Sequence, residues 1–193
     1  MTTMAEFSRR WGDVEALRWM VVKRLTASPG RVAQRSRETS THFKWLLATD
    51  RARAMRIWLH EFKPSDERRA GYASSVHNHR YPFRAIALQG GYTNRRYDIG
   101  FDAGSLHLQR CELVHEEEFG EGVVYTMAPD EYHSVETIEE GTQSLVMELP
   151  PVAAVSYSID QRGDRMIQHV PLEERIKHLV QPTAALLSAA RVK

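Results

Sequence analysis

The stretch SVHNHRYPFRAIALQGGY, residues 75–92, decides how the rest of the chain is interpreted. It places two histidines one residue apart, just ahead of an apolar run that ends in Gly90-Gly91. Alternate residues of an extended segment point to the same side, so the side chains of His77 and His79 project together. Two such imidazoles either bind a metal ion with a third ligand from elsewhere, or they are polar residues of an ordinary β-turn.

Short segments of β character surround this stretch on both sides. Turns rich in Gly, Asp and Pro separate them, and this pattern predicts an all-β sandwich or barrel. The predicted strands are FKWLLA (43–48), AMRIWLHEF (54–62), SSVHNH (74–79), FRAIALQG (83–90), YTNRRYDIG (92–100), SLHLQRCELV (105–114), GVVYTMA (122–128), HSVETI (133–138), TQSLVMEL (142–149) and AAVSYSI (153–159). Because no strand–helix–strand alternation or glycine-rich phosphate motif is present, a nucleotide-binding fold is not expected.

Helices are predicted at both ends of this β region. Asp13 is placed to cap a helix over residues 12–27, in which Leu17 and Val21 recur at helical spacing. A second helical region is predicted from residue 171 to about 190, divided at Pro182. We therefore expect a single domain over residues 1–193, with a barrel over about 39–168 and helical extensions at 1–38 and 169–193.

Composition narrows the class of protein further. The 193 residues carry a formal net charge of +1, so charge gives no reason to expect a nucleic-acid partner. No apolar stretch approaches the roughly 20 residues that span a bilayer, and the first residues lack the apolar core of a secretory signal. The single cysteine, Cys111, excludes an intrachain disulfide. We expect a cytoplasmic protein that binds neither membranes nor nucleic acid.

Among nine histidines, His133 is the best third ligand for a metal at His77 and His79. It follows the turn signal APD (128–130) and opens another β run. Its position near the start of a predicted strand would allow it to face the same interior as the first pair.

The spacing of these residues resembles the two sequence motifs of the cupin superfamily. In the first motif an arginine stands where cupins usually carry glutamate, and the second motif lacks one glycine. The matching positions are Gly71, His77, His79, Arg84 and Gly91 for the first motif, and Gly122, Pro129 and His133 for the second. The resemblance implies an all-β double-stranded β-helix, or jelly-roll, barrel with N- and C-terminal helices.

Two longer runs narrow the resemblance to the cysteine dioxygenase family of thiol dioxygenases. FRAIALQGGYTNRRY (83–97) and YHSVETIEEGTQSLVMELPPVAAVSYSIDQRGD (132–164) are similar to the corresponding family segments, and the likeness covers about residues 43–164. It implies that His77, His79 and His133 bind iron(II). It also places Lys44 near the family's arginine that binds the substrate carboxylate.

Other parts of the family's site do not carry over. Arg84 matches the family's cysteine, and Glu148 lies near its catalytic tyrosine. An inward-facing Arg84 would hold a carboxylate, whereas on the other face of the strand it would be a surface residue. Glu148 would be a buried acid with a catalytic role, or an exposed strand residue. Tyr125 and Tyr132, close to His133 in sequence, would supply a catalytic hydroxyl or simply pack.

Three functions follow from this pattern. The first is a mononuclear non-haem iron(II) oxygenase that acts on a small amino-acid-like or thiol-acid substrate with O₂. The second is a redox-neutral zinc(II) or nickel(II) enzyme that catalyses a rearrangement, lyase or hydrolytic step. The third is a cupin that binds a small molecule without catalysis. Imidazole ligands suit all three metals, so the ligand set alone does not select one. Cupins often pair, which makes a homodimer compatible with each function.

Overall fold

The computed structural model describes residues 3–160 and 162–171, in which three helices precede eleven strands. The helices are α1 (Met4–Arg9), α2 (Val14–Ala27) and α3 (Pro29–Arg35). The strands are β1 (Arg37–Glu38), β2 (His42–Asp50), β3 (Met55–Phe62), β4 (Phe83–Gln89), β5 (Tyr92–Phe101), β6 (Leu108–Phe119), β7 (Val124–Met127), β8 (Tyr132–Glu136), β9 (Gln143–Glu148), β10 (Ser156–Ile159) and β11 (Met166–His169). The predicted C-terminal helix lies outside the described residues.

The N-terminal helices begin where the sequence supplies suitable residues. The carboxylate of Asp13 accepts a hydrogen bond of 3.1 Å from the backbone N–H of Ala16, which satisfies one donor at the start of α2. Pro29 opens α3, where its missing N–H costs no helical hydrogen bond. The helix predicted for residues 12–27 is therefore confirmed. In the described part of the chain, no helix combines the length and apolar character needed to cross a membrane.

The strands form two antiparallel sheets. The larger sheet has the order β1-β2-β3-β9-β4-β7. The smaller sheet consists of β6-β5-β8 and the pair β10-β11. Single-residue bridges from His77 to His133 and from His77 to Ser158 join these two parts. Strands far apart in sequence, such as β3 and β9, are thus neighbours, as in a jelly roll.

Side chains of the two sheets meet in one apolar core. Phe83 and Val146 of the larger sheet belong to the same buried cluster as Tyr92 and Phe119 of the smaller sheet. The two sheets therefore face each other, and the prediction of an all-β jelly-roll barrel is confirmed.

Part of the larger sheet is buried on both faces. Helices α1 and α2 cover its outer face, where Phe7 and Leu17 pack with Ile57 and Leu145, all four fully buried. Each such side chain contributes about 1.5–3 kcal/mol by leaving water. Burial on both faces explains why β4 carries apolar residues at consecutive positions instead of alternating with polar ones.

The turn at Gly90-Gly91 is not the turn of a hairpin. It connects β4 to β5, which lie in different sheets and do not pair. Gly90 has a φ of +65°, and an added Cβ would lie 2.5 Å from Oγ1 of Thr142. Glycine is required here because the chain must cross between sheets in a conformation that other residues rarely adopt.

Three further segments differ from their predictions. Residues 74–79 are not a strand: a single-turn helix, Tyr72–Ser74, leads into an irregular segment. The strand predicted for 105–114 instead runs from Leu108 to Phe119, because residues 115–118, a histidine and three glutamates, continue the pairing with β5. There the guanidinium of Arg96 lies 3.4 Å from the carboxylate of Glu117, an attraction across the strands that a turn would not provide. Strand β11 was not predicted.

Candidate metal centre

The three histidines predicted as metal ligands come together in the space between the sheets. His133 lies on β8, and His77 exchanges two backbone hydrogen bonds of 2.9 Å with it. The Asn78 side chain points away from this contact, where its Oδ1 accepts a hydrogen bond of 2.7 Å from the backbone N–H of Tyr157. The rings of His77 and His79 both lie beside that of His133, with centroids 4.7 Å and 5.3 Å from it.

The ligating nitrogens are as close as a single metal ion requires. One nitrogen from each of His77, His79 and His133 lies within 4.8 Å of the others. The Nε2 atoms of His79 and His133 are 3.1 Å apart. Two nitrogens that each lie about 2.0–2.1 Å from an ion at the tetrahedral angle are separated by roughly 3.3 Å, so the spacing fits a metal.

Hydrogen bonds to protein acceptors leave the Nε2 lone pairs free for a metal. Nδ1 of His77 donates to the backbone carbonyl of Ser75 at 2.8 Å. Nδ1 of His133 donates to Oδ1 of Asn94 at 2.9 Å. The fully buried Asn94 is itself fixed, because its Nδ2 donates to Glu117 at 3.3 Å. Such outer contacts fix the tautomer and orientation of metal-binding histidines.

Burial keeps these three imidazoles neutral. It lowers the pKa of His77 to about 4, and it lowers the pKa of His79 and of His133 well below the ordinary histidine value. The charge that His77 would carry lowers the pKa of the other two further. A neutral imidazole has the lone pair that a metal needs, so the cluster is in its ligating form at neutral pH. The structure therefore fits a divalent metal at this position.

The cluster faces a small cavity, and a larger groove connects this cavity to the surface. The first space, which we call the inner cavity, has a volume of about 70 Å³. Polar, aromatic and three aliphatic residues line it: His42, Lys44, His60, Phe62, Ala73, His77, His79, Tyr81, Phe83, Tyr92, Tyr125, His133, Val135, Val146 and Glu148. The second space, the outer groove, has a volume of about 490 Å³, and its lining includes the exposed Arg37 and Glu38.

Lys44 and Glu148, both predicted as site residues, lie together on the larger sheet. Nζ of Lys44 is 3.2 Å from Oε1 of Glu148, and Nη1 of Arg56 is 3.4 Å from its Oε2. Burial alone would raise the pKa of Glu148, but the charge of Lys44 and a hydrogen bond from Tyr81 contribute to lowering it below its ordinary value. Glu148 is thus a buried, ionised carboxylate held by two cations.

The two tyrosines predicted near His133 lie in different sheets, Tyr125 on β7 of the larger one and Tyr132 on β8 of the smaller one. Tyr125 lines the inner cavity, and its hydroxyl is 3.2 Å from that of Tyr92. Burial raises the pKa of Tyr125 to about 12, so it is a hydrogen-bonding phenol at neutral pH. Tyr132 alternates with His133 along β8 and packs with Ile159 on the other face. It does not line the inner cavity.

Arg84 does not reach the cluster. On β4 it follows the buried Phe83, whose side chain lines the inner cavity, and strand alternation turns Arg84 to the outer face. There it is exposed, opposite Met147 of β9 and Thr126 of β7. The structure therefore corrects the prediction of an inward-facing Arg84 that holds a substrate carboxylate.

Three polar residues of the site were not selected from the sequence. Asn94 follows Tyr92 by two residues on β5, and only its contact with His133 distinguishes it from other strand residues. His42 and His60 line the inner cavity and stack with ring centroids 4.3 Å apart. The pairing of β2 with β3 brings these two histidines together, and no short sequence motif contains both.

The charged groups around the site have a positive balance. The described side chains that line the inner cavity and outer groove comprise four cations (Arg37, Lys44, Arg56 and Arg80) and two carboxylates (Glu38 and Glu148). Glu38 is also paired with Lys63, which lies outside this set. A positive groove that leads to a buried site raises the local concentration of anions.

No protein-family model matches the chain, and no similar sequence was found among curated proteins. Among solved structures, the chain is similar to the DMSP lyase DddQ from Ruegeria pomeroyi DSS-3, at 13% identity over 64% of this chain and 56% of that one, with a TM-score of 0.39. A deletion mutant of Bacillus subtilis oxalate decarboxylase OxdC matches at 18% identity over 64% and 29%, with a TM-score of 0.41. Vicilin from Corylus avellana matches at 10% identity over 58% and 29%, with a TM-score of 0.40.

The chain thus covers little more than half of DddQ and less than a third of the other two chains. Likenesses at this level concern general architecture and carry no information on ligand or activity. The fold assignment rests on the strand pairing of this chain, and the metal centre rests on the geometry of its histidines.

Proposed function

We propose that this chain is a metal-dependent enzyme that acts on a small anionic molecule in the inner cavity. The observation that carries this proposal is the convergence of three neutral imidazoles, two of them buried and that of His79 half-buried, with no acidic ligand in the cluster within residues 3–160 and 162–171. Structural zinc sites usually have four protein ligands, whereas catalytic sites have three and keep one position for water or substrate. Three ligands beside a cavity match the catalytic pattern.

Each residue of the cluster has a defined part in holding the metal. His77, His79 and His133 would bind it through Nε2, while Ser75 and Asn94 hold the Nδ1–H groups of two of the rings. A divalent ion with three neutral ligands keeps its positive charge, supplies a Lewis acid and, if it is iron(II), provides a site for O₂. The aromatic residues of the inner cavity restrict the entry of water.

An anionic substrate fits the charges of the site. The cations of the outer groove attract an anion, and the metal charge would hold its anionic group. Lys44 lies between the groove and the cavity, because it lines both. Its ammonium is held by Glu148 at 3.2 Å, which orients it without removing its hydrogen-bonding capacity for a second acceptor.

The first candidate reaction is the oxidation of a small thiol acid or amino acid by O₂ at iron(II). The three-histidine set and the resemblance to thiol dioxygenases support it. The test is anaerobic loading with iron(II), followed by measurement of O₂ uptake with a panel of small thiol acids and amino acids. We expect uptake with at least one of them, and none with His133→Ala. A fully loaded protein that consumes no O₂ with any compound would rule out this reaction.

A second candidate is a redox-neutral lyase or rearrangement, and the buried carboxylate of Glu148 favours it. Glu148 is ionised and lies in the same cavity as the cluster, beside the hydroxyl of Tyr81. These two groups are placed to accept and return a substrate proton. This candidate predicts zinc in protein purified without added metal, and product formation without O₂. Glu148→Gln should then abolish turnover while leaving the zinc content unchanged. Zinc-loaded protein that is stabilised by ligands without any turnover would instead indicate a binding protein.

A further inference from the structure

A second pair of histidines shares the inner cavity with the metal cluster. His42 on β2 and His60 on β3 line both the inner cavity and the outer groove. Lys44 is directly opposite His60 in the strand register, and His42 follows on the same face two residues away. The larger sheet therefore presents the two imidazoles side by side, whereas His133 of the cluster belongs to the smaller sheet.

The Nε2 atoms of this pair are buried without a protein partner. Among the described residues, neither the Nε2 of His42 nor that of His60 has a hydrogen-bond partner. The His42 ring is fixed by a contact of 2.9 Å between its Nδ1 and Oγ1 of Thr41, and only 9% of the residue is exposed. A buried polar atom without a hydrogen-bond partner destabilises the fold, so two such atoms in one cavity point to a ligand that completes them.

The pair differs from a metal site in its composition and suits a hydrogen-bonded oxygen. Neither histidine belongs to the three-histidine cluster. Burial lowers the pKa of His42 to about 3 and the pKa of His60 well below its ordinary value, so both rings are neutral. A neutral imidazole nitrogen donates to or accepts from a hydroxyl, and it donates to a carboxylate oxygen.

The size of the inner cavity limits the distance between the two groups of histidines. Its volume is about 70 Å³. Since a water molecule needs roughly 10–15 Å³ of such space, the cavity holds about five to seven water positions. A molecule with a three-carbon chain is of a size that this cavity holds, and both groups of histidines line the cavity.

We propose that His42 and His60 form a second polar subsite, which binds a hydroxyl or carboxyl oxygen at one end of a short-chain carboxylic acid. The carboxylate at the other end of the molecule is held at the metal bound by His77, His79 and His133. This inference rests on the proposed metal-dependent function and adds the substrate class: a short acid with a second oxygen-bearing group.

The test compares two acids that differ by one hydroxyl, 3-hydroxypropionate and propionate. Their dissociation constants are measured by calorimetry on the full-length protein loaded with zinc(II), which has no redox chemistry. We expect the wild type to bind 3-hydroxypropionate about tenfold more tightly, the value of one well-made hydrogen bond to an otherwise unsatisfied group. In His42→Phe and His60→Phe, which keep a flat ring, this preference should fall below about twofold.

Matched controls separate the subsite from its surroundings. His115→Phe makes the same chemical change on the exposed part of β6 and should keep the full preference. Zinc content should equal that of the wild type in His42→Phe and His60→Phe; loss of zinc from folded variants would overturn the subsite. His60→Gln, which retains hydrogen-bonding groups, provides a second measurement if His60→Phe does not fold, and it should keep part of the preference.

Failure of the subsite and failure of the proposed function give different results. Fully zinc-loaded wild type that binds both acids equally would overturn the subsite but not the metal centre. A preference that persists in both phenylalanine variants would assign the hydroxyl to the metal and also overturn the subsite. A wild-type protein that takes up no zinc or iron would overturn the proposed function and this inference together.

Discussion

The inner cavity holds two groups of histidines that differ in how their nitrogens are used. In the cluster, Nδ1 of His77 and of His133 donates to a protein acceptor, and the Nε2 atoms of His79 and His133 approach to 3.1 Å. In the pair, the Nε2 atoms of His42 and His60 are buried with no partner in the described chain. The first arrangement directs lone pairs at one point, which suits a cation. The second leaves hydrogen-bonding capacity, which suits an oxygen.

The largest effect is expected from removing a cluster ligand. His133→Ala should weaken zinc or iron(II) binding by more than about a hundredfold, because loss of an outer contact alone costs roughly 10–100-fold. Competition with a chromophoric chelator measures this affinity. His42→Phe in the same titration should bind metal as the wild type does. Equal losses in the two variants would show that the two groups of histidines do not differ in function.

The burial of His42 should be measurable in the pH dependence of the free energy of unfolding. The pKa of His42 is lowered from 6.5 to about 3 in the folded state. Between these two pH values, His42 binds a proton in the unfolded chain but stays neutral in the folded chain. The contribution of neutral His42 to the stability of the fold is therefore complete above pH 6.5, and it is lost progressively as the pH falls towards 3. At pH 5 this histidine costs about 2 kcal/mol.

Urea unfolding of the metal-free protein at pH 7 and pH 5 tests this expectation. The loss of stability between the two pH values should be about 2 kcal/mol smaller in His42→Phe than in the wild type. His115→Phe, at an exposed position, should lose as much as the wild type. Identical losses in all three proteins would contradict a neutral, buried His42.

The outer contact of the cluster should have a smaller effect than its ligands. Asn94→Leu removes the acceptor of the His133 Nδ1–H and should weaken metal binding by about tenfold. Ser134→Ala is the matched control, because Ser134 is a buried polar residue next to His133 whose hydroxyl donates to Glu136. If both variants bind metal equally well, Asn94 has no part in orienting the ligand.

The smallest effect is expected at Arg84, on the outer face of β4. Arg84→Gln should change the free energy of unfolding by less than about 0.5 kcal/mol and leave metal and acid binding unchanged. The same titrations and urea curves measure it. A marked loss of acid binding would restore the sequence-based prediction that Arg84 holds a carboxylate.

The sequence predicted the features that depend on local pattern. The H-x-H spacing indicates two neighbouring ligands although residues 74–79 do not form the predicted strand, and the turn before His133 marks the start of β8. Glycine and proline turns located most strands, which gave the all-β fold. Arg84 was left open because Pro82 interrupts the alternation that would have fixed its face.

Features that depend on strand register were not predictable in the same way. His42 and His60 meet only because β2 and β3 pair in one particular register, and Asn94 contacts His133 only because β5 lies beside β8. The local sequence at Gly90 is typical of a hairpin turn, but the packing of the two sheets determines which strands pair. The single-domain organisation and the homodimer stay predictions.

The bridges made by His77 give the metal centre a second role, in the cooperativity of the smaller sheet. Its backbone pairs with both His133 and Ser158, and so joins β6-β5-β8 to β10-β11. A ligand that binds only when these strands are paired stabilises the paired arrangement by RT ln(1 + [L]/Kd). We therefore expect metal to slow amide hydrogen exchange at His77, His133 and along β10, far more than in the helix-covered sheet, so that local opening of the barrel reports on metal occupancy.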